Sequence, residues 1–258
     1  MKLLSLNHYW RICAAGISYV LFGLGGFIPA IYIFFLAVFP MDRQTKQRKV
    51  RNSLKLLCRC YVDIMQFLGL MNYFIEGPVP KNLKGHLVIS NHSMLIDALF
   101  ALAYIDNLCC VAKGALFSNP FTRVPIKLAG YIANDDPDII NITNEKLSMG
   151  ENILIFPEGT RNTSDLQLEF RRGAANIAVI TDAPILPVTL CCMPRALGKG
   201  DSWYQLPEVK SKIVMRFDHP FKVADYVDQN SPKTLQYRQL TEAFRNYYAN
   251  SISSVIGL

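Results

Sequence analysis

Charge is missing altogether from Ile12 to Pro40, a run of 29 residues. Such a run exceeds the roughly 20 residues a helix needs to cross a hydrocarbon core. It is also too long for the apolar region of a signal peptide, and no cleavage-like site ends it. Gly23, Gly25, Gly26 and Pro29 fall near its middle and weaken a straight helix there. Two shapes are therefore expected, a tilted span or a helical hairpin that dips into one leaflet. Acids are almost absent from the stretch that follows. Between Met41 and Cys60, Asp42 stands alone against Arg43, Lys46, Arg48, Lys49, Arg51, Lys55 and Arg59. A basic block beside an apolar segment suits anionic lipid headgroups and, under the positive-inside rule, lies on the cytoplasmic side. Zinc-finger spacing and RNA-binding aromatic motifs are both lacking, which argues against nucleic acid as the partner. The seven cysteines are odd in number and include two adjacent pairs and one C-x-C. That pattern gives neither a zinc site nor a secreted disulfide framework, and fits small buried side chains in a reducing compartment. Internal repeats and low-complexity segments are also wanting.

What is present divides the chain in two. Over residues 44–72, Val50, Leu54, Leu57, Tyr61, Ile64, Met65 and Leu68 recur at spacings of three and four, predicting an amphipathic helix. Gly77-Pro78-Val79-Pro80 then marks a boundary, giving an N-terminal membrane-anchoring and basic region (1–75) and a second domain (76–258). In that domain apolar runs at 86–90, 108–112, 131–133, 152–156, 185–190 and 213–217 predict strands. Helical patterns at 95–104, 138–149, 173–181 and 233–251 alternate with them. Alternation of this kind predicts an α/β domain with helices packed on a central sheet. Residues 195–211 read as a surface loop.

Two segments carry chemistry. His92 follows the apolar run Leu87-Val88-Ile89-Ser90, and Asp97 lies five positions on. In one continuous helix these side chains would diverge by about 140°; a strand–turn–helix bend lets them meet. A neutral imidazole held by a carboxylate is suited to removing a hydroxyl proton. Ser93 adjoins it but has no glycine-flanked nucleophile elbow, so direct attack by a substrate hydroxyl is the simpler route. The second segment is Phe156-Pro157-Glu158-Gly159-Thr160-Arg161. Gly159 allows a tight turn, Arg161 has the fork that grips phosphate or carboxylate, and Glu158 is placed to orient Arg161 or to accept from a hydroxyl. The alternative is a structural Glu158–Arg161 pair closing a loop. Lys113 and Arg171-Arg172 add cations at other strand ends or loops, where ligands of α/β sheets gather.

The order N-H-x-x-x-x-D, then Lys113 with Gly130-Tyr131-Ile132, then F-P-E-G-T-R, then Pro184-Ile185-Leu186-Pro187-Val188 resembles the glycerolipid (lysophospholipid) acyltransferase family over roughly residues 75–225. The resemblance implies an αβ acyltransferase domain with a central mixed sheet, preceded by a layer of membrane helices. It implies His92 and Asp97 as the catalytic pair, and Glu158, Gly159, Thr160 and Arg161 as acceptor-binding elements. Backbone amides or Lys113 are expected to stabilise the oxyanion. The expected reaction moves an acyl group from a thioester, acyl-CoA or an acyl carrier protein, onto a lipid hydroxyl, without metal or redox cofactor. The expected place is the bacterial inner membrane, with the catalytic domain facing the cytoplasm. Where the family's second block carries an arginine, this chain has Ala133-Asn134-Asp135-Asp136. That stretch, with C-C-M-P-R-A-L-G-K-G-D-S-W-Y downstream, is similar to a bacterial branch tied to aryl-polyene and other carrier-protein pathways.

Overall fold

In the computed structural model, which describes residues 6–25, 27–120, 122–161 and 168–256, two helices carry the uncharged run. They are α1 (Leu6–Gly25) and α2 (Phe27–Val38); Gly26, one of the expected helix breakers, lies outside the described residues. At 1.5 Å per residue they are about 30 and 18 Å long. Among the described residues no helix is long and apolar enough to cross a membrane. Val20, Leu21 and Leu24 of α1 and Ile31, Phe34, Phe35 and Val38 of α2 are nonetheless exposed.

The basic stretch forms α3 (Arg43–Phe67), capped by the Asp42 carboxylate, which accepts from the Thr45 amide at 2.8 Å. The helix expected over 44–72 stops early because Gly69 takes a left-handed conformation (φ 78°). The chain then enters β1 (Met71–Glu76), a strand that the expected division at residue 75 cuts through.

Six further strands follow among the described residues: β2 (Leu87–Ser90), β3 (Leu108–Ala112), β4 (Ile132–Ala133), β5 (Asn152–Ile155), β6 (Ile185–Met193) and β7 (Ser211–Phe217). They form one mixed sheet in the order β1-β7-β6-β2-β5-β3-β4, parallel except between β6 and β7. β2 and β5 are buried throughout, as the unbroken apolar runs Leu87–Ile89 and Ile153–Ile155 require of strands covered on both faces. Successive residues point to opposite faces. Val88 and Leu154 pack with Tyr61, Met65 and Phe100 beneath α3 and α4 (Asp97–Tyr104). The helices α5 (Ala115–Ser118), α6 (Arg123–Leu128) and α7 (Ile139–Ser148) lie between β3 and β5 in the chain. Leu87, Ile89 and Ile153 pack with Ala174, Phe244 and Tyr248, beneath α8 (Arg172–Thr181) and α9 (Lys233–Ile256).

A buried ion cluster fastens α3 to the domain. Arg51 reaches Glu151 at 2.8 Å, the Ala129 carbonyl at 2.7 Å and the Asn107 side chain at 3.0 Å, while Lys146 meets Glu151 at 3.1 Å. This cluster sits at the amino end of β5. Because β2, β3, β4, β5 and β6 run the same way, their carboxyl ends share the opposite edge of the sheet.

Candidate active site

That carboxyl edge collects both chemistry-bearing segments. Asn91, the first residue past β2, uses its amide side chain like a further rung of the ladder. Its Nδ2 donates to the Leu190 carbonyl at 2.7 Å and its Oδ1 accepts from the Leu190 amide at 2.8 Å. The chain then bends, and α4 begins at Asp97. The bend closes the five-residue gap: His92 Nδ1 lies 3.0 Å from Asp97 Oδ2. Since a carboxylate only accepts, Nδ1 carries the hydrogen and the Nε2 lone pair stays available. The imidazole stacks on Phe156, with ring centroids 4.4 Å apart and 25° between planes. Its side chain is 20% exposed, whereas that of Asp97 is fully buried.

Burial raises the Asp97 carboxyl above its ordinary range; the His92 hydrogen bond and charge and the amides of Met94 and Ser93 oppose that rise. The Met94 amide is 2.7 Å from Oδ2, while Oδ1 has no hydrogen-bond partner among the described residues. Within the bend, the His92 amide donates to Glu158, that of Met94 to Asp97 and that of Leu95 to the Leu197 carbonyl. These three amides are committed to the fold.

The second segment follows β5, the strand next to β2. Glu158 is buried and its Oε2 accepts from the His92 amide at 2.8 Å, so it braces the bend. Gly159 has φ 68°, where a side chain would be strained, and is exposed; the Arg171 side chain lies beside it. Thr160 is half-buried. Arg161 Nη1 donates to the carbonyls of Gly198 at 2.8 Å and Leu197 at 3.2 Å, in the loop after β6. These ties join Arg161 to the loop after β6 through carbonyls, and not through the Glu158–Arg161 pair weighed as the alternative.

Lys113 is exposed just past β3, next to α5 (Ala115–Ser118). With β5 between β3 and β2, two strand spacings, about 10 Å, separate its backbone from β2. That distance suits a headgroup or donor phosphate better than a reacting carbonyl. Arg172 is exposed at the start of α8. Asn134 and Asp135, at the position of the missing arginine, pack on the same turn. Asn134 Oδ1 accepts from the Gly114 amide at 3.1 Å, and a side chain on Gly114 would collide with the Asp135 carboxylate.

Directly behind the bend lies an apolar cavity of about 300 Å³. Met94, Leu95 and Ile96 of the bend line it; α1 contributes Arg11, Ala15 and Tyr19, and the loop after β6 contributes Trp203 and Leu206. Asn91 and Phe156 lie within the two motif segments, but nothing in the local sequence pointed to the contacts they make or to Arg11 as part of this edge.

An acyltransferase family model matches residues 71–191, from β1 into β6 and across both segments. The human 1-acyl-sn-glycerol-3-phosphate acyltransferase alpha is 32% identical over 169 residues, 62% of this chain and 59% of that protein. The mouse protein of the same name is 32% identical over 130 residues, 47% of this chain and 46% of its own length. The Helicobacter pylori 1-acyl-sn-glycerol-3-phosphate acyltransferase is 33% identical over 153 residues, 56% of this chain and 62% of its own. The chain thus spans about half to three-fifths of these relatives. The crystal structure of PlsC, the 1-acyl-sn-glycerophosphate acyltransferase of Thermotoga maritima, superposes with a TM-score of 0.74 over 99% of both chains at 18% identity, a likeness of fold. With the N-H-x-x-x-x-D and F-P-E-G-T-R segments joined at one sheet edge and the match running through them, these likenesses support the glycerolipid acyltransferase family.

Proposed function

We propose that the protein transfers an acyl group from a thioester, acyl-CoA or an acyl carrier protein, to the hydroxyl of a lysophospholipid-like acceptor at a membrane surface. The 3.0 Å His92–Asp97 contact carries this reading, with an apolar cavity lined by Met94, Leu95 and Ile96 of the same bend. His92 Nε2 takes the acceptor hydroxyl proton as its oxygen attacks the thioester carbonyl. The tetrahedral oxyanion collapses, the carbon–sulfur bond breaks, and the leaving thiolate takes the proton from the imidazolium. Asp97 holds the tautomer and stabilises the imidazolium formed on the way. The cavity behind the bend accommodates an acyl chain. Lys113 and Arg171, at the same edge, attract the anionic headgroup or the donor's phosphates. The exposed apolar side chains of α1 and α2, beside the basic α3, favour a helical hairpin lying in one leaflet.

A second acceptor class is favoured by one observation. Asn134 and Asp135 occupy the place of a cation and bring a carboxylate to the Lys113 turn. That arrangement suits an acceptor without a phosphate monoester, such as lipid A receiving a polyene or aminoacyl group from a carrier protein. Purified protein in lipid nanodiscs, offered lysophosphatidic acid or lipid A with acyl-CoA or acyl carrier protein, tests both by mass analysis of the products. Acyl transfer to lysophosphatidic acid is the expected outcome. Product from lipid A alone selects the second reading, and no turnover with any pair defeats catalysis.

A further inference from the structure

The loop after β6 crosses the edge of the site as a strap, roughly residues 194–210, and it is tied at both ends. Near its start, the Leu197 carbonyl accepts from the Leu95 amide at 3.0 Å, and Leu197 and Gly198 together hold Arg161. Near its end, the Pro207 and Glu208 carbonyls accept from Arg11 Nη2 at 2.7 and 2.5 Å. Between these ties Trp203 packs edge-on against Tyr19 of α1, with ring centroids 6.1 Å apart. Ala196, Leu197, Trp203, Leu206 and Pro207 close one side of the cavity.

Arg11 is the unusual member. It is buried in α1, and its partners among the described residues are all neutral: the two strap carbonyls and, at 3.4 Å, His8 Nδ1. With no carboxylate partner among the described residues, this buried guanidinium is held by its hydrogen bonds, and it loses the two to the strap if the strap lifts. Docking of the strap and burial of this charge are therefore mutually dependent. We propose that Arg11 is a positioning residue for the acyl-transfer site: by clamping the end of the strap onto α1, it sets the carbonyls that hold Arg161 and Leu95 beside His92. A residue in the first helix thereby governs the geometry of a site formed at the end of β2, and the site is complete only while α1 is seated on the domain. This role rests on the acyl-transfer reading.

The test uses full-length protein in nanodiscs with lysophosphatidic acid and acyl-CoA, in a Trp10→Phe background so that Trp203 is the sole indole. Arg11→Ala is expected to shift Trp203 emission to the red. It should raise the acceptor KM about tenfold or more, as loss of charge-assisted hydrogen bonds predicts, with kcat changed by less than about threefold. Because Arg11 acts through the strap on Arg161, Arg11→Ala in an Arg161→Ala background should change KM by less than about twofold. Arg11→Lys, which keeps the charge but loses the fork, should restore both signals in part and serves in place of the alanine variant if that one does not fold. Unchanged Trp203 emission, or effects of Arg11→Ala and Arg161→Ala that multiply, overturns the proposal. Absence of transfer by the wild type defeats the acyl-transfer reading and the positioning role with it; Trp203 emission then still reports whether the clamp forms.

Discussion

Two buried carboxylates stand at opposite edges of the sheet, and their surroundings differ in one respect. Glu151, just ahead of β5, faces two permanent cations, Arg51 and Lys146, at 2.8 and 3.1 Å. Asp97, just after the β2 bend, faces an imidazole and the Met94 amide, and its Oδ1 has no partner among the described residues. A carboxylate compensated by fixed charge joins elements and has no further capacity. One left short of positive charge in a buried place attracts more, and the imidazolium formed when His92 accepts a proton supplies it. The comparison assigns stability to the amino edge and chemistry to the carboxyl edge, and separate measurements can break it.

The largest effect is expected at the carboxyl edge. His92→Ala should lower kcat about 10²–10⁴-fold, the range of general-base assistance, with thermal unfolding close to wild type because a small residue fits the turn. Asp97→Asn should also lower kcat strongly, since the amide favours the wrong tautomer. Near-normal kcat in well-folded His92→Ala protein removes the base from the mechanism.

At the amino edge the readout reverses. Arg51→Met leaves Glu151 with Lys146 alone and the Ala129 carbonyl without its donor. Breaking such a buried pair costs about 3–5 kcal/mol of stability, seen as a lower denaturant midpoint. Turnover per folded molecule should stay near wild type. A loss of kcat without a loss of stability would show that the cluster is coupled to the site.

Legibility in the sequence followed the same geography. β2, β3 and β5 came within a residue or two of their expected spans because short apolar runs buried on both faces are local signals. The His92–Asp97 pair was legible because strand–turn–helix geometry is set over five residues. β1 was hidden, because Met71 continues the apolar spacing of α3 and only Gly69 breaks it. The partners of Asn91, Arg161 and Arg11 lie 99, 36 and 196 residues away along the chain. No pattern of neighbours encodes those contacts; they exist only once β6 and its strap are laid beside β2. Glu158 was read as orienting Arg161 or accepting from a hydroxyl; its contact with the His92 amide, from the neighbouring strand's end, was not foreseen.

Asn91 offers a milder test, midway between chemistry and architecture. Asn91→Ala leaves the Leu190 amide and carbonyl buried without their partners, a loss of about 1–3 kcal/mol. Because Asn91 immediately precedes His92, kcat should fall as well, by less than in His92→Ala. Equal kcat for Asn91→Ala and wild type would show that Glu158 alone is enough to hold the bend.

The smallest effect concerns Asp97 itself and its dependence on pH. Burial raises its carboxyl above the ordinary value of 3.8. The folded state therefore binds this proton more tightly than the unfolded chain does. Stability from this group is fully present below the unfolded value and is lost as pH rises through the folded one. Holding Asp97 ionised at neutral pH is thus a strain that the fold sustains, the reverse of a carboxylate compensated by fixed cations. Asp97→Asn removes the titration, so its denaturant midpoint should vary less than that of wild type as pH rises from 4 upward. At pH 7 its stability should equal or exceed wild type, although its kcat is far lower. Unfolding curves for the two proteins at several pH values read the difference directly. If Asp97→Asn instead lost stability at pH 7 and regained it at pH 4, the ionised carboxylate would itself be a structural tie, and the contrast with Glu151 would be erased.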